Sequence, residues 1–364
     1  MNRQTEGSDL YEKIVERTVD KFIPFKADWE LTYGCNLKCI HCYQSGPDSR
    51  QELSTQEAFS CLDQLAEMGC LYLTLTGGEV LTREDFFEIA GYAREKDFAI
   101  RIFTNATLLD EAGADKIKKL NPLSVEISLY SADQAVHESI TGVLGSFART
   151  VNAFRLLKER GVHTVVKTTF MKPNAGEFDG LQKFSREIDA PFTFTFTVIP
   201  TLDNSREVTR LRIPEAKLEE MFIPRDWMFE GVTEGGVRSF EPLCSAGFNS
   251  LYISPYGEVF PCVTLRQDCG NIRETELKDI WGSGFFRELR GISFKDLKGC
   301  ADCQLAAYCD RCAGLAWLED KDLYGPSRND CTLARVRKMA MDKQERSNHG
   351  KKEEEALSKA QDSL

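Results

Sequence analysis

The sequence has little that would point to a membrane or to nucleic acid. No run approaches the ~18 uncharged apolar residues that span a bilayer, and the N-terminal stretch MNRQTEGSDLYEKIVER lacks the apolar segment of a signal peptide. Positive charge is also scarce, since 46 Lys and Arg against 57 Asp and Glu leave a net charge of −11. A nucleic-acid-binding surface would need a basic face. We therefore expect a cytoplasmic protein that binds neither membranes nor nucleic acid.

Cysteine, in contrast, is abundant. A reducing cytoplasm disfavours disulfides, and an odd number of cysteines, 13, cannot all pair. Three of them, Cys35, Cys39 and Cys42, are spaced C-x3-C-x2-C in LTYGCNLKCIHCY. A four-iron cluster or a structural zinc normally takes four ligands. Either His41 completes a Cys3His zinc site, or one ligand position is left open.

Apolar runs of strand length alternate with amphipathic runs of helix length between residues 27 and 200. The predicted strands are ADWELTY from 27, LYLTLT from 71, AIRIFTN from 99, SVEISLY from 124, TVVKTTF from 164 and FTFTFTVI from 192. Strands joined by helical crossovers form a parallel sheet, so we predict an α/β fold with a partial (β/α)6 TIM-like barrel. Chemistry gathers at the carboxyl ends of such strands, and the cysteine motif directly follows the first one.

The chain divides by composition into four parts. We predict an N-terminal segment at 1–23, the barrel core at 24–235, a small cysteine-rich domain at 236–335 and a charged tail at 336–364. Between 241 and 331 regular periodicity fades and seven cysteines appear besides Cys269, which is typical of a domain stabilised by metal. The tail is predicted to be a frayed helix or disordered.

A second motif, TGGEV, follows the second predicted strand. Its glycines, Gly77 and Gly78, allow close backbone approach to a ligand, and Glu79 offers a carboxylate. With the C-x3-C-x2-C motif and the aromatic Tyr43 after it, this arrangement resembles the radical S-adenosylmethionine (radical SAM) superfamily over residues 24–200. The resemblance implies that the open iron is chelated by S-adenosylmethionine, which an electron from the cluster cleaves to a 5′-deoxyadenosyl radical. On that view His41 need not be a ligand.

The resemblance also implies roles for individual residues. The cluster ligands are Cys35, Cys39 and Cys42. Tyr43 lies near the adenine. The methionyl amino group is held by Gly77, Gly78 and Glu79. The ribose, the carboxylate or the substrate is contacted by Thr104, Asn105, Ser128 and Lys167. Two positions depart from the common pattern, because Val80 stands where a proline is usual and Ala106 where a glycine often follows Thr-Asn; neither removes a ligand atom.

The second domain has its own cysteine pattern. CSAGFNSLYISPYGEVFPC reads C-x12-G-x4-C, and CADCQLAAYCDRC reads C-x2-C-x5-C-x2-C. One or two structural zinc sites would explain these spacings. Beside a radical SAM core, they resemble the SPASM extension, which carries auxiliary four-iron clusters. The resemblance gives one complete ligand set, Cys300, Cys303, Cys309 and Cys331. A second set is Cys244, Cys262 and Cys312. The fourth iron of that cluster is left open, binds a substrate atom or is ligated by Cys269.

Enzymes of this layout often modify ribosomally made peptides, and peptide modification is the function we expect. The residues before the barrel are too few to contain the peptide-recognition domain of such enzymes, so a separate recognition protein is expected, together with an external electron donor such as flavodoxin or ferredoxin. Val263 stands where the sulfatase-maturing branch has an aspartate, which disfavours that branch. Two alternatives remain: oxidative decarboxylation of a small molecule such as a haem precursor, and a non-catalytic iron–sulfur or zinc protein.

Overall fold

One eight-stranded sheet organises most of the chain, for which a computed structural model describes residues 3–44, 46–203, 205–222 and 244–361. Its strands are β1 (Lys26–Glu30), β2 (Tyr72–Thr76), β3 (Ala99–Thr104), β4 (Ser124–Ser128), β5 (Thr164–Thr169), β6 (Phe192–Thr195), β7 (Ser250–Ile253) and β8 (Val259–Phe260). Their order is β6-β5-β4-β3-β2-β1-β7-β8, and only the β7–β8 pair is antiparallel.

Helices follow or connect most of these strands. The described helices are α1 (Arg3–Asp20), α2 (Thr55–Glu67), α3 (Phe86–Glu95), α4 (Glu111–Leu120), α5 (Gln134–Thr141), α6 (Ser146–Glu159), α7 (Phe178–Glu187), α8 (Glu215–Phe222), α9 (Leu277–Trp281), α10 (Gly284–Arg290), α11 (Ala313–Asp320) and α12 (Arg328–Gln361). Among the described residues, no helix combines the length and the apolar character that a membrane span requires.

The two faces of the sheet differ in chemistry. Side chains alternate along a strand, and one set, including Trp29, Leu75 and Ile102, is fully buried and apolar. Residues of the other set, such as Asp28 and Arg101, are polar and only partly buried. β1–β6 are parallel and joined by helices, and β6 and β8 end the sheet without pairing with each other. The predicted partial barrel is therefore confirmed.

Three elements go beyond the sequence prediction. Helix α1 precedes the first strand, and the tail, which was predicted to be a frayed helix or disordered, is helical (α12) as far as Gln361. Strand β7 lies in the cysteine-rich stretch, where no strand was predicted, and it pairs in parallel with β1 in the register Lys26↔Ser250. The sheet thus extends beyond the six predicted strands.

The chain forms two compact units. The first contains Met1–Arg212 and Glu241–Ser293, and the second contains Ile213–Phe240 and Phe294–Leu364. All eight strands belong to the first unit, whereas α8, α11 and α12 belong to the second. The predicted boundary at 235/236 lies outside the described residues and stays a prediction.

Candidate functional site

The segment that leads into the first cysteine is paired with the GGE motif. Gly78 N–H donates to Thr32 O and Glu79 N–H to Gly34 O, both at 2.8 Å. A Cβ atom on Gly77 would overlap Thr32 O, and one on Gly78 would overlap Gly34 O. The backbone that the two glycines approach in this structure is therefore the chain's own. The motif fixes the path of the chain up to Cys35.

Glu79 joins the ends of two neighbouring strands. Its side chain is fully buried and accepts hydrogen bonds from Thr104 Oγ1 and Asn105 N, both at 2.6 Å, and from Leu81 N at 3.0 Å. Burial raises the pKa of this carboxyl, and the hydrogen bonds act against that rise. A carboxylate has about four acceptor positions, and these three donors, together with the backbone N–H of Ala106, account for nearly all of them.

The loop that carries the three cysteines is anchored by α5. Lys38 N–H donates to Thr141 O at 2.9 Å, and Ile40 N–H donates to Ile140 O at 3.0 Å. These bonds lie between the first and the last cysteine of the motif. The backbone of the cysteine loop is thus held at its middle by a helix end and at its start by the GGE motif.

The thiols themselves form a set that fits an iron–sulfur cluster. Burial, followed by the charges of Cys42 and Cys35, raises the pKa of Cys39 to about 12. Such thiols become thiolates when a metal supplies positive charge. Leu37 N–H lies 3.4 Å from Cys35 Sγ and Asn105 Nδ2 lies 3.9 Å from it. Hydrogen bonds of this kind to ligand sulfur tune the potential of a cluster.

His41 points away from the role of fourth ligand. Its ring packs edge-on against Tyr130, with the centroids 4.8 Å apart, and its Nδ1 atom is buried without a hydrogen-bond partner among the described residues. Burial lowers the pKa of His41 to about 4, and no cysteine contributes to that shift. This orientation favours a three-thiolate set with one open position over a Cys3His zinc site.

Tyr43 is fixed by a buried acid that the sequence prediction missed. Its hydroxyl donates to Glu30 Oε1 at 2.8 Å, and Glu30, the last residue of β1, is completely buried. Arg266 binds the other carboxylate oxygen at 2.7 Å and also donates to Tyr33 OH at 2.6 Å. Burial and the charge of Glu30 raise the pKa of Tyr43 well above 10. The available signal was an acidic residue at the end of an apolar strand.

The polar face of the sheet brings together further charges near the predicted residues. Ser128 and Lys167 are register partners on β4 and β5. Lys167 Nζ donates to Glu126 at 2.9 Å and lies 3.2 Å from the centroid of the Phe103 ring. Arg101 reaches the other Glu126 oxygen only at 3.9 Å. Glu126 and Arg101 were not predicted, although both interrupt apolar strand patterns.

Two family models match this chain, one over the sheet region and one over the cysteine-rich region. The model of the Radical SAM superfamily matches residues 29–184, and that of SPASM, an iron–sulfur cluster-binding domain, matches residues 244–304. An AdoMet-dependent heme synthase of Methanosarcina barkeri is 30% identical over 332 residues, which cover 81% of this chain and 92% of the relative. The chain belongs to the radical SAM superfamily. It is an enzyme of the radical SAM type, and its cofactors are S-adenosylmethionine and iron–sulfur clusters.

Two further proteins resemble this radical SAM enzyme over most of its length. The mycofactocin maturase MftC of Mycolicibacterium smegmatis is 28% identical, covering 82% of this chain and 81% of MftC. The crystal structure of Streptococcus suis SuiB bound to the precursor peptide SuiA has a TM-score of 0.68 at 18% identity, covering 91% of this chain and 82% of SuiB. The likeness to SuiB shows the fold.

Two of the SPASM-region cysteines lie close together in the first unit. The charge of Cys244 contributes, after burial, to the raised pKa of Cys262. Leu265 N–H donates to Cys262 Sγ at 3.3 Å, and Ala246 N–H donates to Cys244 Sγ at 3.3 Å. Cys269 is different, because its thiol faces the carbonyl of its own segment, and its pKa is raised by burial and by Asp268 without a contribution from another cysteine.

Four other cysteines come together in the second unit. Burial and the charges of neighbouring thiols raise the pKa of Cys331, and the thiols concerned are those of Cys300 and Cys303. Cys309 is likewise affected by Cys331 and Cys300. These four are the predicted complete set. No three ligand side chains among the described residues converge tightly enough for a single metal ion. A four-iron cluster does not require such tight convergence, because each thiolate binds a different iron.

Cys312 begins α11 within the same unit. Its Sγ accepts a hydrogen bond from Leu315 N at 3.4 Å, and its own N–H donates to the buried Asp330 at 2.7 Å. Its assignment to the set with Cys244 and Cys262 stays a prediction.

The two remaining cysteines, Cys61 and Cys70, are buried. Cys61 is inside α2 and has no exposed surface, and Cys70 lies just before β2, with its thiol directed at the carbonyl oxygens of Phe25 and Tyr72. Burial raises the pKa of both thiols, as it does for the proposed ligands, so it is their place in the core that sets these two apart.

Proposed function

We propose that this enzyme modifies a ribosomally made peptide after its synthesis. Its cluster ligands are Cys35, Cys39 and Cys42, with one iron left for S-adenosylmethionine. When bound, the reduced cluster and S-adenosylmethionine supply a 5′-deoxyadenosyl radical, which takes a hydrogen atom from a substrate carbon. S-adenosylmethionine and the reacting part of the substrate are contacted by Tyr43, Gly77, Gly78, Glu79, Thr104, Asn105, Ser128 and Lys167.

The auxiliary clusters belong to the same proposal. One is held by Cys300, Cys303, Cys309 and Cys331. The other is held by Cys244, Cys262 and Cys312. Cys269 is the weakest candidate for its fourth ligand, because the thiol of Cys269 faces its own backbone. An open iron or a substrate atom is then the better alternative. Auxiliary clusters can accept the electron released when a substrate radical is oxidised.

The balance of charges on the polar face of the sheet supports a peptide substrate over a haem precursor. This face presents three acids and three bases on strands β1, β3, β4 and β5, namely Asp28, Glu30 and Glu126 and Lys26, Arg101 and Lys167. The acids and bases offset one another, which suits a polar chain with mixed charges such as a peptide. A haem precursor carries several carboxylates on one apolar ring system and would call for an excess of bases.

A haem precursor is nevertheless the second candidate. The observation that favours it is the heme synthase of Methanosarcina barkeri, 30% identical and covered to 92% of its length. MftC, which is named a maturase, favours the first candidate at 28% identity. SuiB was crystallised with a precursor peptide, but at 18% identity that likeness supports the fold alone.

Isotope transfer separates the two substrates. The enzyme is reconstituted anaerobically, reduced with dithionite and given S-adenosylmethionine with a deuterated form of a short precursor peptide encoded beside its gene. We expect deuterium in 5′-deoxyadenosine and a mass change in the peptide. A haem precursor deuterated in its carboxylate side chains should give neither. Deuterium transfer from the haem precursor alone would contradict peptide modification, and Cys35→Ala serves as the inactive control in both arms.

Two protein partners complete the proposal. A separate peptide-recognition protein presents the precursor, and an external one-electron carrier such as flavodoxin or ferredoxin reduces the cluster. Efficient modification of the full precursor by this chain alone, with no gain on adding a candidate recognition protein, would contradict the first partner.

A further inference from the structure

Three large apolar side chains are exposed around the cysteine loop. They are Ile40, Leu108 and Leu144, which we call the Leu144 patch; Leu144 is 85% exposed. Isolated exposed apolar residues are ordinary on protein surfaces. These three residues are near the proposed cluster. Ile40 lies between the proposed ligands Cys39 and Cys42, and Leu108 and Leu144 are in segments next to the same loop.

Leu144 is brought to the loop by the end of α5. The backbone N–H of Ile40 donates to Ile140 O at 3.0 Å, and that of Lys38 donates to Thr141 O at 2.9 Å. At Gly142 the end of α5 and the cysteine loop are so close that a Cβ atom on Gly142 would lie 2.8 Å from Lys38 O. Leu144 follows two residues later, so its side chain projects from the turn that supports the cysteine loop.

Leu108 follows a residue that is bonded to the loop. Asn36 Nδ2 donates to Thr107 Oγ1 at 2.7 Å, and Asn36 Oδ1 accepts from Asn105 Nδ2 at 3.0 Å. This network ties the residue after Cys35 to the turn that contains Leu108. Each residue of the Leu144 patch thus lies in, or next to a segment bonded to, the loop whose cysteines Cys35 and Cys42 are themselves exposed.

Two cations border the patch without a charge to pair with. Lys38 and Arg149 are both exposed, and neither forms an ion pair within the described residues. The Arg149 guanidinium lies against Gly145, since a Cβ there would be 3.0 Å from Nη1. Because the whole protein carries a net charge of −11, an acidic partner needs exposed cations such as these two where it docks.

We propose that the Leu144 patch is the docking surface of an acidic one-electron carrier protein of the flavodoxin type. The proposal rests on the proposed function in placing the cluster at Cys35, Cys39 and Cys42 and in taking a flavodoxin-type carrier as its reductant. In the step, the flavin hydroquinone loses one electron and becomes the semiquinone, and the cluster gains that electron; no bond is made or broken. A small apolar area rimmed by cations suits such a partner, because electron-transfer complexes are small, transient and steered by charge.

The test compares a patch variant with a matched variant at the opposite end of the sheet. The patch variant is Leu144→Asp/Arg149→Glu. The control is Leu123→Asp/Lys119→Glu, which makes the same two kinds of change at exposed residues before β4 and at the end of α4. Each holoenzyme is titrated calorimetrically with an acidic flavodoxin and, separately, reduced by that flavodoxin or by dithionite while the cluster is followed by EPR. No substrate is needed, so failure of the peptide assignment does not affect the result.

We expect the patch variant to bind flavodoxin about tenfold more weakly and to be reduced by it about tenfold more slowly, with the effect greatest at low salt. Reduction by dithionite should be unchanged, and the control variant should match the unaltered enzyme. Equal flavodoxin affinity for the two variants would overturn the proposal. So would an equal loss with dithionite, because the change would then have damaged the cluster and not a docking surface.

Discussion

Two cysteine-bearing regions of this enzyme are held in place in different ways. The loop with Cys35, Cys39 and Cys42 follows five consecutive buried residues, 29–33, and its backbone is bonded to the GGE motif and to α5. In the second unit, no residue between Lys298 and Cys312 is buried, and the backbone bonds there are largely local turns, such as Cys303 N–H to Cys300 O.

The first loop is therefore positioned by the fold itself, whereas the cysteines of the second unit need a bound cluster to stabilise their arrangement. Burial of apolar residues around β1 and β2 supplies the free energy that fixes the first loop. The 298–312 segment has little such burial, so a bound cluster must contribute more of its stability. The first region can place its thiols before iron arrives, whereas the second depends on iron for its order.

Removal of iron should therefore affect the second region most. Structural metal sites contribute on the order of 10 kcal/mol to the folding of small domains. After chelation, we expect limited proteolysis to cut first between residues 298 and 331, while the strands of the sheet stay protected. Mass spectrometry of the fragments checks this, with reconstituted enzyme as the control. Cleavage that begins equally within β1–β5 would contradict the comparison.

The predictability of each region follows from how local its determinants are. The strands β1–β6 were predicted because each carries its own apolar pattern. Strand β7 was not, since SLYI is short and its pairing with Lys26 joins positions far apart in the chain. The capping box of α2 is also local, since it joins Ser54 and Glu57, three residues apart.

The same reasoning explains what was missed in the site. The cysteine spacing and the GGE motif are local and were found. Glu30 lies inside the predicted strand ADWELTY, and its partner Arg266 is 236 residues away, so no local pattern joins them. The role of Gly77 and Gly78 in receiving the chain's own backbone depends on a contact with Thr32 and Gly34. Long-range pairing of this kind requires the folded structure.

Breaking the Glu30–Arg266 pair should weaken the fold-imposed site next most strongly. Arg266→Met leaves the carboxylate of Glu30 buried without its cation, and loss of one partner of a buried pair costs about 3–5 kcal/mol. Urea unfolding of the anaerobic enzyme measures this loss. The double variant Glu30→Gln/Arg266→Met removes both charges and keeps an acceptor for Tyr43, so it should recover most of the stability. Equal losses in the single and double variants would show that the ion pair is not what matters.

A change at Gly78 should produce the smallest of these effects and still separate the two regions. In Gly78→Ala the added Cβ meets Gly34 O, a backbone atom that cannot turn aside, and overpacking of this kind costs about 1–3 kcal/mol. The matched control is Gly91→Ala in α3, where no atom lies within 4 Å of the new Cβ, so stability should rise by up to about 1 kcal/mol. Because the displaced backbone leads directly to Cys35, we expect Gly78→Ala to lose the EPR signal of the cluster that binds S-adenosylmethionine and to keep the auxiliary signals. If instead the auxiliary signals are lost first, the first cysteine loop is not positioned by the GGE motif.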